Sequence, residues 1–514
     1  MSHRGGDQKK EGRVKPKLAI AALCLLTSLT YAQHEASKYK PATIPNGESI
    51  LGVKFLPPER DWERMDIYTP KNAEGKKLPC IVYFYGGGYG GKVVWNKAHF
   101  QVLVDNGYVV AMPDYVLGAQ QPVPLTVWDA AAAIRFLRAN AQKYSIDPER
   151  IGVFGISAGG WIAQNLATTD TRSLVAIGNE RRGEVPRFIP MIEPHAANSD
   201  FSAQVCAVVT DWGAGTITGL SKQGYIGPND PPLFTVGPAV DGFIPKGVQA
   251  YRDAGAIAEL AVIYEKDRDG KPITDVKNPH DFGHTAAGVV EGKPFTRDAD
   301  GKEISLATRT LQFLDTYVKN PQQASAPEVL PAGGPVLPDT PVTLRTVHTS
   351  GAIHYTLDGS APTEKSPRYT TPLKIRPGTT LKALTIKPGL KPSAITTVTF
   401  TEAKDEAPVI TTAQTIYRVK AGEAFSLKLE AKSTKPVTWA LTGKVLAKPL
   451  EAIDTNRDNS NLKREEPWLK LDPQSGLLSG TATTKGVNVV IITAHIGKGA
   501  DVQVDARQVI VVVE

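Results

Sequence analysis

The chain has 514 residues, 41% hydrophobic and 22% charged, the balance of an ordinary globular protein long enough for more than one domain. Its formal net charge is +7, but residues 1–32 supply +4 of it, with Arg4, Lys9, Lys10, Arg13, Lys15 and Lys17 against Asp7 and Glu11. The remaining +3 forms no basic run or stripe, which argues against a nucleic-acid partner.

The basic start runs into LAIAALCLLTSLTYA and then QHEAS. A charged segment, a short apolar segment and small residues at Thr30 and Ala32 predict a signal peptide over residues 1–32, cleaved near Ala32. The apolar stretch is shorter than the roughly 20 residues of a membrane span, so the mature chain is expected to carry no transmembrane segment and to be secreted, periplasmic or cell-surface. The alternative is an uncleaved anchor. A lipid anchor at Cys24 is disfavoured by Leu23, where a small residue is required. Cys80 and Cys206, the mature cysteines, sit in apolar strand-like runs, which reads as two buried thiols; two isolated cysteines leave a disulfide open.

From about residue 50 to 320, strand and helix patterns alternate. CIVYFY reads as a strand, WNKAHFQVLVDNG as a helix, YVVAMPDY as a strand, and PLTVWDAAAAIRFLRANAQKY as a long Ala-rich helix. RIGVFG and SAGGWIAQNLATT follow as strand and helix; AQVCAVVTDWG and PPLFTVG as strands; then come the helical PKGVQAYRDAG, the strand IAELAVIYE and the helical ISLATRTLQFLDTYVK. This order predicts an α/β fold with a mainly parallel sheet over residues 33–320. NPQQASAPEVLPAGGPVLPDTP then acts as a linker. Beyond it long helical patterns vanish and short alternating runs such as VTLRTV, AIHYTLDG and TLKALTIK take over. Two small β-sandwiches are expected, one over 321–402 including the linker and one over 403–514.

The chemistry centres on IVYFYGGGYGGKV, residues 81–93, where bare backbone follows a strand. Gly86 to Lys92 reads G-x-x-x-x-G-K, but Val93 has no hydroxyl for a metal ion, so the P-loop pattern fails. The second use of such a stretch is an oxyanion hole, in which backbone N–H groups meet developing negative charge, and a side chain on Gly87 or Gly88 would block that approach. An oxyanion hole demands a nucleophile. Gly155-Ile156-Ser157-Ala158-Gly159 supplies a serine between a strand and a helix, with small neighbours that leave room for a sharp turn and the Ala158 N–H as a further donor.

A serine hydroxyl needs a base. In the fold that uses this turn the order is Ser, acid, His. Asp241 follows the strand LFTVG. After Ser157 the region holds His195, His280 and His284, and only the last two follow Asp241. Gly283 sets His284 on a turn-like stretch and favours it; His280 remains the alternative. No metal or cofactor is required.

YFYGGGYGG, DPERIGVFGISAGG, PAVDGFIP and DFGHTA together resemble the α/β-hydrolase esterase/lipase family, in particular its hormone-sensitive-lipase-like and feruloyl-esterase-like bacterial members. The resemblance covers roughly residues 50–320. It implies Ser157 as nucleophile, Asp241 and His284 as its relay, and Gly87, Gly88 and Ala158 as oxyanion donors. Tyr85 stands where that family usually has His, and the stretch before His284 is longer than usual. Residues 327–402, through GAIHYTLDGSAPTEKSPRYTTPLKIRPGTTLKALTIKPGLKPSA, resemble the C-terminal β-module of chitobiases and β-hexosaminidases. Residues 407–514, through WLKLDPQSGLLSGTATTKG, resemble immunoglobulin-like modules of bacterial surface proteins.

The expected activity is that of a secreted serine carboxylic-ester hydrolase acting through an acyl-enzyme on a small-molecule or polysaccharide ester, acetylated or feruloylated carbohydrates among them. The β-modules would contact glycan or a cell surface. A peptidase or lipase on the same scaffold is one alternative; an adhesion protein with an inactive hydrolase domain is another, which a degraded triad would favour. In the modules Tyr355, Trp439 and Trp468 could stack on sugars, against the default of core packing. Asp454 to Glu465 has a calcium-loop spacing without the glycine at its sixth position, so a solvated loop is the plainer reading.

Overall fold

The structure is a computed structural model and describes residues 41–60, 63–87, 92, 98–116, 125–168, 174–176, 188–190, 197–211, 226–238, 243–263, 294–297, 301–331, 333–442, 468–483, 485–497 and 502–514. The signal-peptide and calcium-loop segments lie outside them.

The central sheet contains β1 (Gly47–Lys54), β2 (Arg64–Pro70), β3 (Leu78–Phe84), β4 (Val109–Pro113), β5 (Ile146–Ile156), β8 (Val208–Asp211), β9 (Leu233–Pro238) and β10 (Ala258–Ile263); a separate antiparallel pair, β6 (Leu174–Ala176) and β7 (Phe188–Pro190), lies between β5 and β8 in the chain. The order across the sheet is β1-β2-β4-β3-β5-β8-β9-β10. From β4 to β10 every pairing is parallel, while β1–β2 and β2–β4 are antiparallel. The parallel body is the predicted one. The antiparallel edge leaves no such mark in the sequence, because GESILGVK and RMDIYTP lack the continuous apolar run of the central strands.

Helices α1 (Ala98–Asp105), α2 (Leu125–Ala139), α3 (Ala158–Thr168), α4 (Phe243–Asp253) and α5 (Leu306–Leu314) join these strands. Two glycines of β5 show how the sheet is covered on both faces. A methyl on Gly152 would lie 2.7 Å from Val318, just after α5, and one on Gly155 would lie 2.2 Å from the Gly159 carbonyl oxygen in α3. Residues three apart in a strand point to opposite faces. One continuous apolar core, from Met65 and Ile67 through Phe100, Val153 and Ile162 to Phe313, fills both layers.

Cys80 and Cys206 are free thiols. Both flank Ile151, Cys80 by register in β3 and Cys206 through its N–H to the Ile151 carbonyl. They are thus two strand spacings apart, about 9–10 Å, beyond the roughly 7 Å limit for a disulfide. Burial pushes both thiols up, Cys206 to about 11, leaving them protonated.

Two small β units follow. Residues 328–402 form a three-stranded and a four-stranded sheet around Val342, Leu344, Leu381, Val398 and Phe400. Residues 409–513 form a second sandwich-like unit around Phe425, Trp439, Leu478, Val490, Ile492 and Val511. Trp439 is 6% exposed in that core, Trp468 packs against it with its indole N–H on Asn488, and Tyr355 packs on the core of the first unit. All three are packing residues rather than open stacking platforms. The first unit is fastened to the α/β domain by Glu149, which accepts from His348 Nδ1 at 3.0 Å and from Thr349 N at 2.9 Å and pairs with Lys387.

Candidate active site

The corner after β5 follows from its residues. Ser157 closes the strand with φ at 53°, in the left-handed region that a non-glycine residue rarely occupies and that costs about 1–2 kcal/mol. Its N–H donates to the Asp211 carbonyl at 2.8 Å, and its own carbonyl accepts from Trp161 N at 3.0 Å, the first turn of α3. So Ser157 belongs to the sheet on one side and to the helix on the other. The flanking glycines make this possible. A methyl on Gly155 would also meet Gly160 Cα at 2.7 Å, and one on Gly159 would lie 2.1 Å from the Phe84 carbonyl oxygen and 2.6 Å from that of Tyr85. Backbone touches backbone at both places, and such contacts cannot yield as a flexible side chain can. Ala158 opens α3, so its amide is among the four that a helix leaves without an intrahelical acceptor.

The glycine-rich segment begins where Gly159 packs. Tyr85 is buried, its ring stacked on Tyr115 with centroids 4.5 Å apart, and the Tyr115 hydroxyl donates to the Tyr85 carbonyl at 2.8 Å. Burial, reinforced by Asp114, pushes the Tyr85 phenol well above its ordinary range, so it stays neutral. Gly87 adopts φ 118°, a conformation that favours glycine. Lys92 Nζ lies 2.6 Å from Asp114 Oδ1 and 5.1 Å from the Tyr85 ring centroid, with its side chain 1% exposed. Lys92 is therefore engaged in the domain interior, a second reason, besides Val93, that the G-x-x-x-x-G-K pattern is no phosphate loop.

Of the predicted site residues, Ser157, Ala158 and Gly87 are described and stand at the carboxyl edge of the parallel strands. Gly88, Asp241, His280 and His284 lie outside the described residues, as does His195. Asp241 falls in the four residues between β9 and α4, and both histidines fall between β10 and Pro294, in the chain order the sequence reading required.

One residue near Ser157 escaped that reading. Asp211 ends β8, is 5% exposed, and its Oδ1 has no hydrogen-bond partner among the described residues. Burial pushes its carboxyl well up. The only signal was an acid closing the apolar run AVVTD.

A cavity of about 540 Å³ lies at the amino edge of the sheet, where the first β unit meets the α/β domain. Cys206, Pro232 and Ile257, at the amino ends of β8, β9 and β10, line it together with Ala324 and His348. It lies on the sheet edge opposite Ser157.

Residues 65–231 match BD-FAE, and residues 331–397 match the chitobiase/beta-hexosaminidase C-terminal domain. Residues 65–231 are a BD-FAE domain, an α/β-hydrolase domain. A probable isoprenylcysteine alpha-carbonyl methylesterase of Arabidopsis thaliana is 36% identical over 101 residues, 20% of this chain and 21% of that protein. A carboxylesterase of Mycobacterium tuberculosis is 37% identical over 92 residues, 18% and 29% of the two chains. The chain thus spans less than a third of the length of these curated relatives. Among solved structures, a truncated form of a carbohydrate esterase from gut microbiota aligns over 44% of this chain and 90% of its own at 18% identity and TM-score 0.36. Thermogutta terrifontis esterase 2 phosphorylated by paraoxon aligns over 42% and 82% at 20% identity and TM-score 0.33. In the BD-FAE domain of this chain, β3 to β8 carry the glycine-rich segment, the Ser157 corner and Asp211 on one edge.

Proposed function

We propose that the chain is a secreted serine carboxylic-ester hydrolase that works through an acyl-enzyme on acylated carbohydrates, with acetyl or feruloyl esters as the substrate class. The observation that carries this reading is the Ser157 corner. A serine held at φ 53° between strand and helix, on the same sheet edge as Gly87 and next to the first amide of α3, is the arrangement a nucleophile and its oxyanion donors require. The BD-FAE match and the esterase relatives support ester chemistry; the chitobiase-type module and the predicted signal peptide support a carbohydrate substrate outside the cytoplasm.

In this reading Ser157 Oγ attacks the ester carbonyl as His284 takes its proton, and Asp241 orients the imidazole. The amides of Gly87, Gly88 and Ala158 receive the oxyanion, each donor worth about 3–4 kcal/mol of transition-state stabilisation. His284 returns the proton to the leaving alcohol, and water, activated by the same imidazole, releases the acid.

The test is hydrolysis of p-nitrophenyl acetate, methyl ferulate and acetylated xylan by the full chain and by Ser157→Ala. We expect turnover by the wild type and a loss of at least about a thousandfold in the variant. Equal rates would remove Ser157 from the mechanism. His280→Ala against His284→Ala assigns the base, and turnover of p-nitrophenyl acetate with neither methyl ferulate nor acetylated xylan hydrolysed would overturn the substrate class.

A further inference from the structure

The strand Gly486–Ile496 reads GVNVVIITAHI and is buried along nearly its whole length. A strand in a two-layer sandwich should show one apolar and one polar face. Here both are apolar. Val490, Ile492 and Ala494 belong to the core of their own unit, whereas Val487, Val489 and Ile491 form a separate cluster with Val116, Leu125 and Trp128 of the α/β domain. The neighbouring strand Gln503–Val513 divides the same way: Val509, Val511 and Val513 face inward, and Ala506, Ile510 and Val512 join the second cluster. Trp128 is 2% exposed and Val116 and Leu125 are fully buried. The outer face of the last unit is therefore a buried apolar seam against the α/β domain.

The location of that seam gives it a function. Val116 follows the carboxyl end of β4, on the same edge of the sheet as Ser157. Its N–H donates to Asp129 Oδ2 at 2.8 Å, and Asp129 is held by Arg60 through two bonds of 2.8 and 2.7 Å. Asp114 and Tyr115, the two residues before it, hold the glycine-rich segment at both ends, Tyr115 through its bond and ring stack with Tyr85 and Asp114 through its ion pair with Lys92. Segment 114–116 thus has the glycine-rich segment on one side and the C-terminal unit on the other.

We propose that the C-terminal β unit is a positioning element of the ester site rather than a freely tethered binding module: by sealing Val116, Leu125 and Trp128, it holds segment 114–116, and through Tyr85 and Lys92 the oxyanion segment, in working geometry. The kinetic part of this rests on the proposed ester hydrolysis; the mechanical part does not.

The test uses the full chain carrying Ile510→Asp, which places a charge in the seam and leaves the inward residues Val509 and Val511 untouched, with Ile510→Ala as the milder variant in case the first does not fold. Hydrogen exchange is followed in peptides covering 83–87, 113–116 and 486–496, and kcat and KM are measured on p-nitrophenyl acetate. We expect faster exchange in all three peptides and a fall in kcat of at least about tenfold with KM nearly unchanged, because displaced donors act on the transition state. Ile510→Val should restore both. Faster exchange at 486–496 with 83–87 and kcat unchanged would overturn the proposal. A wild type without esterase activity would overturn the ester reading alone, and the exchange of 83–87 would still decide whether the seam positions that segment.

Discussion

Gly159 and Phe84 meet backbone to backbone: a methyl on Gly159 would lie 2.1 Å from the Phe84 carbonyl oxygen. This approach joins the helix after Ser157 to the strand that leads into the glycine-rich segment. Gly159→Ala should destabilise the chain by at least about 3 kcal/mol, the upper end for overpacking, since neither peptide can move without disturbing β3 or α3. Gly227→Ala, where an added methyl meets nothing within 4 Å, should stay within about 0.5 kcal/mol of wild type. Denaturant midpoints of the two variants decide the matter, and equal midpoints would deny the close approach.

Ser157 should be less stable than the glycine that could replace it. Alanine keeps the steric penalty of φ 53°, whereas glycine removes it at some cost in chain entropy. Ser157→Gly is expected to be more stable than Ser157→Ala by about 1 kcal/mol while both lack ester hydrolysis. Thermal unfolding of the pair reads the difference, and the reverse order would mean that the corner is relaxed.

Asp211 should make stability fall on the alkaline side. Burial raises its pKa in the folded chain, so the folded form keeps a proton that the unfolded form has lost above about pH 4. Stability contributed by the protonated group is present below that pH and is lost as pH rises toward the folded value. Asp211→Asn, which carries no titrating proton, should flatten the decline between pH 4 and pH 8 in chemical denaturation. An unchanged slope would place the titration elsewhere.

Glu149 should act in the opposite direction. Burial alone would raise its pKa, but hydrogen bonds from His348, Lys387 and Thr349 outweigh it and hold the carboxyl well below the usual range. A depressed pKa gives stability that is full above the unfolded value, about 4.3, and is lost as pH falls below it. Acidification from pH 5 to pH 3 should therefore loosen the first β unit from the α/β domain and speed proteolysis of the connection at residues 320–327. Glu149→Gln should cleave at the faster rate already at pH 7 and respond less to acid.

Much of this molecule is legible along the chain because it rests on local signals. VYF and VVAM must be buried strands, the Ala-rich run from Leu125 must be a helix, and a serine among Gly155, Ala158 and Gly159 can stand only at a tight corner. Other features left no such mark. Asp211 is an ordinary acid in sequence, and its burial beside the Ser157 amide depends on β8 pairing with β5. Lys92 resembles a phosphate-binding lysine until its Asp114 partner, 22 residues away, is in place. Trp439 and Trp468 became core residues only when two sheets closed over them.

By itself the sequence determined the central strands and the helices that alternate with them, and where a nucleophilic corner could form, since periodicity and glycine spacing act over a few residues. Tertiary structure alone decided that the doubly apolar strand Gly486–Ile496 turns one face to its own core and the other to Trp128. Alternating side chains announce that both faces must be covered, but what covers each is set by pairings hundreds of residues apart, where burial of apolar area is non-directional and only shape selects the partner.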